Sequence, residues 1–295
     1  MQVIEIEQTG IYLSVKQGFL TVKQEERETK FPLSNIDCLI LNSYGASVSN
    51  QLLIRLCELN IPVLICGKNA VPIGILLSAQ ENVFRKTHIA AQLNASVALL
   101  ENIWKAIVQA KLINQAALLK AQNCKFNDIA LLAEKVTAGD KGNAEAVAAR
   151  VYWQRLFGKN FRRKFEQPGI NAFLNYSYAL LRAAFCRQIA ASGLLPESGI
   201  HHHNKMNPFC LADDLMEPYR PFADQVVKEL DLAPDAELTP AYKRQLIALF
   251  DKIVYLKGEN RHLQFCLQDS VESAMNSFLK KRCELQYPVF AEQKT

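Results

Sequence analysis

The chain has no long uncharged apolar run. Stretches such as 38–54 are interrupted by Asn, Ser, Gly and Gln, so no membrane span is expected. It has no basic, apolar leader either, because MQVIEIEQTG carries Glu5 and Glu7, and a secretory signal peptide is not expected. The eight cysteines, at 38, 57, 66, 124, 186, 210, 266 and 283, form no C-x-x-C pair and follow no zinc-finger spacing. Most stand among apolar neighbours, as reduced core thiols do, and a cytoplasmic location is expected. Low-complexity tracts and internal repeats are also missing, which leaves a folded globular protein.

What is present is a chain of 295 residues, 49% hydrophobic and 21% charged, long enough for two domains or one large one. The formal net charge of +5 permits an anionic partner without requiring one, so the distribution of charge matters more than its sum. The first eighty residues read as strands. VIEIE, IYLSV, GFLTVKQ and TKFPL alternate partially and are broken at Gly10 and Gly18, while IDCLIL and IPVLIC are apolar runs of strand length. NAVPIGILLS reads as one more strand. Between them, SVSNQLLIRLCELN has helical spacing at Leu52, Leu53, Leu56 and Leu59. After residue 80 the apolar positions recur at three and four, with helices expected near 144–157, 173–192, 211–231, 239–257 and 268–286. The expected fold class is α+β, with a β-rich domain over 1–80 followed by a larger all-α domain over 81–295.

One stretch concentrates groups able to bind a metal. GIHHHNKMNPFCLADDLMEPYRP, residues 199–221, holds His201, His202 and His203 ahead of Asp213, Asp214 and Glu217. Helical geometry would put Asp214 and Glu217, or Asp213 and Glu217, on one face. Pro218 and Pro221 complicate that, either by starting a helix near Asp213 or Asp214 or by kinking one. A plainer reading makes Asp213 a helix cap, the other acids solvated and the histidines a polar loop.

A second stretch is basic. From Lys141 to Phe165 the cations Lys141, Arg150, Arg155, Lys159, Arg162, Arg163 and Lys164 face one acid, Glu145, with Phe157, Phe161 and Phe165 between them. Such interleaving suits a phosphate backbone, and a solvated helix end would look similar. Glu145 stands in the first turn of an Ala-rich helix, where the helix dipole favours a carboxylate.

Together these segments resemble the CRISPR-associated adaptation integrases, the metal-dependent endonucleases of the Cas-one family. The residues that carry the resemblance are Glu145 in GNAEAVAARVYW, NYSYALLRAAFCRQIAASGLLPESGIHHH (175–203) and LADDLMEPYRP (211–221), with an N-terminal part similar to that family's β domain. The GIHHHN…NPF variant and the compact length are most similar to members from type II systems. The resemblance implies a metal triad of Glu145, His202 and Glu217, with Asp214 as a further acid beside the ion. His202 is the histidine selected by counting three residues from Gly199; His201 and His203 stay open.

Two carboxylates and an imidazole suit Mg²⁺ or Mn²⁺ better than a structural zinc. The implied activity is transesterification that joins the 3′-hydroxyl ends of short DNA duplexes to a repeat. Cleavage follows when water is the nucleophile. Double-stranded and branched DNA, a second copy of the chain and the family's smaller adaptation protein (Cas-two) are the implied partners. Arg150, Arg155, Arg162, Arg163 and Lys164 are the expected DNA contacts. Two rivals remain at this point: a DNA-binding scaffold without catalysis, and a non-haem iron oxygenase built on two histidines and one carboxylate.

Overall fold

Alternation in the first eighty residues becomes two small sheets. In the computed structural model, which describes residues 3–67, 72–76, 78, 84–164, 167–233 and 235–291, β2 (Ile11–Lys16), β3 (Phe19–Gln24) and β4 (Arg27–Pro32) form an antiparallel meander. The β2–β3 turn is Gln17-Gly18, both at positive φ, a geometry that matches the twist of the flanking strands. A short strand, β6 (Ser47–Val48), lies parallel to β2. The second sheet runs β1 (Val3–Ile6), β5 (Cys38–Leu41), β7 (Val63–Cys66) and β8 (Pro72–Leu76), parallel except for its last pair. Helix α1 (Asn50–Glu58) is capped by Ser49, whose hydroxyl accepts from the Leu52 amide. Its Leu52 and Leu56 close a core with Leu13, Leu20 and Leu39.

The remainder is mostly helical: α2 (Arg85–Leu93), α3 (Val97–Ala121), α4 (Asn127–Lys135), α5 (Ala144–Phe157), α6 (Ile170–Ser192), α7 (Cys210–Leu215), α8 (Arg220–Glu229), α9 (Pro240–Ile247) and α10 (Leu263–Lys280). The long α3 and α6 carry much of its core: Ile103, Ile107, Val108 and Leu112 of the first and Leu181, Phe185 and Ile189 of the second are buried in one continuous cluster. The α+β class therefore holds. The expected boundary at residues 80 and 81 lies outside the described residues.

Two expectations need correction. The helical part is not all helix, since β9 (Ile253–Leu256), β10 (Glu259–His262) and β11 (Val289–Phe290) form a three-stranded sheet. Residues 239–257 were expected as one helix, yet Val254 and Leu256 are buried while Ile253 and Tyr255 are exposed. That is a period of two, ended by a Lys257-Gly258 turn at positive φ. The 211–231 helix is also interrupted. It breaks after Leu215, Glu217–Tyr219 makes one 3₁₀ turn with Pro218 in it, and α8 resumes with Pro221 near its start.

The β-rich part is fastened to the helices by charge as well as packing. Glu5 on β1 accepts from the Tyr176 hydroxyl at 2.8 Å, from Lys243 Nζ at 2.7 Å and from Asn42 at 3.0 Å. Arg187 pairs with Asp37 at 3.1 Å. Cys38, Ile40 and Leu64 of the β1–β5–β7–β8 sheet join the helical core. Among the described residues no helix is long and apolar enough to cross a membrane.

Candidate metal centre

Four elements meet around Glu145 and Glu217, and each owes its position to a local feature. At the start of α5, GDKGN folds with Asp140 and Asn143 in the left-handed region. Both Asp140 carboxylate oxygens then cap the helix, accepting from the Ala144 amide at 2.9 Å and the Glu145 amide at 3.1 Å. Glu145 is thereby fixed in the first turn. Glu217 opens the 3₁₀ turn after α7, and Asn114 of α3 holds the neighbouring Pro218 carbonyl at 2.9 Å.

The third element is α3 itself. Lys111 reaches between the two acids, with Nζ 2.6 Å from Glu145 Oε1 and 2.6 Å from Glu217 Oε2. Arg220 Nε pairs with the other Glu217 oxygen at 2.9 Å. Burial alone would raise the Glu217 pKa, but the Arg220 and Lys111 charges outweigh it and hold the carboxyl below its ordinary value. Burial would likewise lower the Lys111 pKa, and Glu217 and Glu145 reverse that shift.

The fourth element is the histidine loop, and Asp214 builds it. Asp214 is fully buried, and its Oδ2 accepts three backbone amides in a row, from Ile200 at 2.6 Å, His201 at 2.8 Å and His202 at 3.3 Å. Its Oδ1 binds His202 Nδ1. The loop folds so tightly that a Cβ on Gly199 would stand 2.3 Å from the His202 carbonyl oxygen and 3.0 Å from Asp214 Oδ2; glycine is required there by close approach. His201 stacks on Trp104 of α3, centroids 4.2 Å apart and planes 3° from parallel, while His202 meets the same indole edge-on at 5.7 Å. His203 is exposed. Of the three histidines, His202 is the one whose ring a carboxylate orients. That hydrogen bond raises its pKa against the opposing effect of burial, with smaller contributions from Glu217 and Glu145.

Of the two arrangements left open by the prolines, the interrupted one forms. Because the helix breaks at residue 216, Asp213 turns to Arg182, accepting from its Nε at 2.7 Å, Asp214 serves the histidine loop, and Glu217 faces Lys111. Asp213 is neither a solvated acid nor a cap. Among the described residues no three His, Cys, Asp or Glu side chains are gathered at metal-binding distance. The chemistry of the donor set nevertheless fits a hard divalent ion. Two carboxylate oxygens, one each from Glu145 and Glu217, converge on the one point where the Lys111 ammonium sits, and Asp214 leaves His202 Nε2 as the outward nitrogen.

The basic residues divide by surroundings. Arg150, Arg162 and Lys164 are exposed. Arg155 is held in a fork by Asp128, both contacts 2.7 Å, and that pairing brings the Asp128 pKa down to about 2. Arg163 is tied to Asn171 at 3.0 Å and Asn175 at 2.6 Å, and lies over the Tyr178 ring. Behind Glu217, Asp224 accepts the hydroxyls of Tyr152 and Tyr178, and Arg220 stacks on Tyr178 at 4.5 Å. Burial pushes Asp224 up to about 6 despite those two donors. Sequence reasoning missed Lys111, Trp104, Asp140 and Arg220. For Lys111 the signal was present: it stands on the helical stripe of Trp104, Ile107 and Val108, where a charge is unexpected unless paired.

A casposase bound to integration product superposes with a TM-score of 0.82, at 22% identity, over 97% of this chain and 92% of that one. A Cas6-RT-Cas1–Cas2 complex matches with a TM-score of 0.76, at 20% identity, over 99% of this chain and 36% of that one. Both show the fold. The family model described as CRISPR associated protein Cas1 matches residues 4–232. A CRISPR-associated endonuclease Cas1 from Neisseria meningitidis is 37% identical over 278 residues, 92% of this chain and 89% of that protein. The chain belongs to the Cas1 family, the one its motifs resemble.

Proposed function

We propose that this protein is a metal-dependent DNA endonuclease and integrase of CRISPR adaptation. It joins the 3′-hydroxyl ends of short duplexes to the repeat by transesterification, and it cuts branched DNA when water is the nucleophile. The observation that supports this most directly is the convergence of Glu145 and Glu217 on one point, beside an imidazole braced by buried Asp214. Glu145, Glu217 and His202 Nε2 would hold Mg²⁺ or Mn²⁺. A bound ion of this kind supplies Lewis-acid stabilisation of phosphate charge and activates a hydroxyl nucleophile. The protein's own part is positional. Asp140 fixes the start of α5, Asp214 fixes the ring and tautomer of His202, and Arg220 holds the outer oxygen of Glu217.

DNA would lie along the exposed cations Arg150, Arg162 and Lys164, with Arg155 and Arg163 reaching phosphate only by leaving their present partners. The β-rich part would supply contacts to a second copy and to the smaller Cas2 protein, in line with exposed Tyr12, Phe19 and Ile54 and with the Cas1–Cas2 assembly found for a solved neighbour. For the oxygenase reading a second histidine would have to join His202, and His201 would first have to leave its stack on Trp104. The scaffold reading is separated by experiment. Purified protein given branched DNA should nick and join it in Mn²⁺ and do neither in EDTA. Binding without cleavage in both buffers would establish the scaffold instead.

The DNA path has its own test. Replacing Arg162 and Lys164 together by Ala should weaken binding to unrelated duplexes alike and reduce the salt slope of log K by up to roughly 1.8, about 0.9 for each phosphate released. Arg155→Ala should leave the slope unchanged and lower the melting temperature, because its fork with Asp128 joins α4 to α5. Fluorescence anisotropy across a salt series reads the slopes.

A further inference from the structure

Lys111 is surrounded as a structural cation seldom is. Its stem rises from the buried stripe of α3, its side chain is 11% exposed, and its ammonium touches one oxygen from each of two acids on different elements. Those acids are the ones assigned above to the metal. An ammonium is a compact point charge that can bridge two carboxylates. Without it, Glu145 and Glu217 would face each other as like charges in a poorly solvated site, with Arg220 reaching only the far oxygen of Glu217.

Asp214 is another acid, with both oxygens engaged by the histidine loop, and supplies no positive charge to offset that repulsion. A divalent ion ligated by Glu145 Oε1 and Glu217 Oε2 would need the place the ammonium now takes. Two occupants of such charge cannot share the same pair of oxygens.

We propose that Lys111 is the resident cation of this site, holding Glu145 and Glu217 together until a divalent ion displaces its ammonium from both. The proposal rests on the metal-site reading above. It gives Lys111 a positioning role with two consequences. The carboxylates stay preorganised in ion-free protein, and metal affinity is held lower than the same ligands would otherwise give.

The test uses the full-length chain without DNA, at one fixed pH, with Mn²⁺ as the probe. Free Mn²⁺ is counted by its electron paramagnetic resonance signal, and melting is followed in EDTA and in Mn²⁺. Lys111→Met should bind Mn²⁺ at least about tenfold more tightly than wild type, because a competing positive charge has gone. It should also melt lower than wild type in EDTA and gain more from Mn²⁺. Lys111→Gln, which keeps polar contacts to both acids, provides the same affinity comparison should the Met variant fail to fold. Glu217→Gln should lose most Mn²⁺ binding, which locates the ion.

Equal or weaker binding by the Lys111 variants, with wild type binding normally and Glu217→Gln not, would overturn the displacement role and leave the metal site standing. No Mn²⁺ bound by wild type or by any variant would overturn the role and the metal reading together.

Discussion

Glu217→Gln should abolish Mn²⁺-dependent cutting and joining of branched DNA, by roughly a hundredfold or more, the scale on which losing one charge-stabilising group at a reacting centre acts. The choice of glutamine follows from the packing. Glu217 is buried against Lys111 and Arg220, so alanine would leave two cations facing a void, and breaking a buried pair by removing one partner costs about 3–5 kcal/mol. Glutamine keeps the shape and one acceptor oxygen. Its melting temperature should fall less than that of the alanine variant, because the packing is kept although Lys111 and Arg220 lose their charge partner, and DNA affinity should be unchanged or slightly tighter, since a negative charge near phosphate has been removed. Glu217→Asp should retain partial activity that recovers better with Mn²⁺ than with Mg²⁺, whose near-octahedral demand tolerates a shortened ligand less. The readouts are strand transfer on a labelled branched substrate, melting and anisotropy on one protein preparation. Wild-type transfer by Glu217→Gln would remove the site as drawn here. Asp214 would then become the stronger candidate, although its oxygens now serve the histidine loop.

The helices legible in the sequence are those with one dominant buried stripe and clear ends. For α5, the Ala-rich run between GDKGN and Gly158 marks both termini, and its observed limits are the expected ones, Ala144–Phe157. The long α6 ends where Gly193 adopts positive φ. The β9–β10 hairpin was hidden because the amphipathic α9 runs almost directly into it. A window that spans both sees apolar residues at helical spacing before the alternation of Ile253 to Leu256 begins.

At the site, residue types were legible and relations between them were not. A continuous helix would have put Asp214 or Asp213 on one face with Glu217, and the sequence left that helix and a kink at the prolines both open. Pro218 decided for the kink. Each acid went to a different cation or loop: Arg182, the histidine turn and Lys111. Lys111 and Trp104 lie far upstream, on a helix whose composition reads as ordinary core. Their meeting with residues 201–217 is a tertiary fact that no local spacing encodes. The two arginines that turned inward, Arg155 and Arg163, show the same limit. A basic run announces charge, but the partners that engage it, Asp128, Asn171 and Asn175, are fixed by folding.

Asp214→Asn and Asp214→Ala should separate the two tasks this carboxylate performs. Its Oδ2 gathers the amides of Ile200, His201 and His202, and its Oδ1 takes the proton of His202 Nδ1. With the proton on Nδ1, neutral His202 presents a bare Nε2 lone pair, the form a metal requires. In Asp214→Asn the amide oxygen can still gather the three amides, but the NH₂ then faces Nδ1. That side chain now donates, the imidazole proton moves to Nε2, and the ligating lone pair is lost. Mn²⁺ affinity and strand transfer should fall by about 10–100-fold, as for other partners that orient a metal ligand, while the melting temperature changes little. Asp214→Ala should lose the same activity and also unmake the loop. Orphaned buried donors cost about 1–3 kcal/mol each, and for a chain of this size every kcal/mol lowers the melting temperature by about 2–4 °C. Histidine ¹⁵N shifts report the tautomer directly, moving the proton from Nδ1 to Nε2 in the Asn variant alone. Wild-type Mn²⁺ affinity in Asp214→Asn would show that His202 does not ligate through Nε2, and the candidate histidine would have to be sought at His201 or His203.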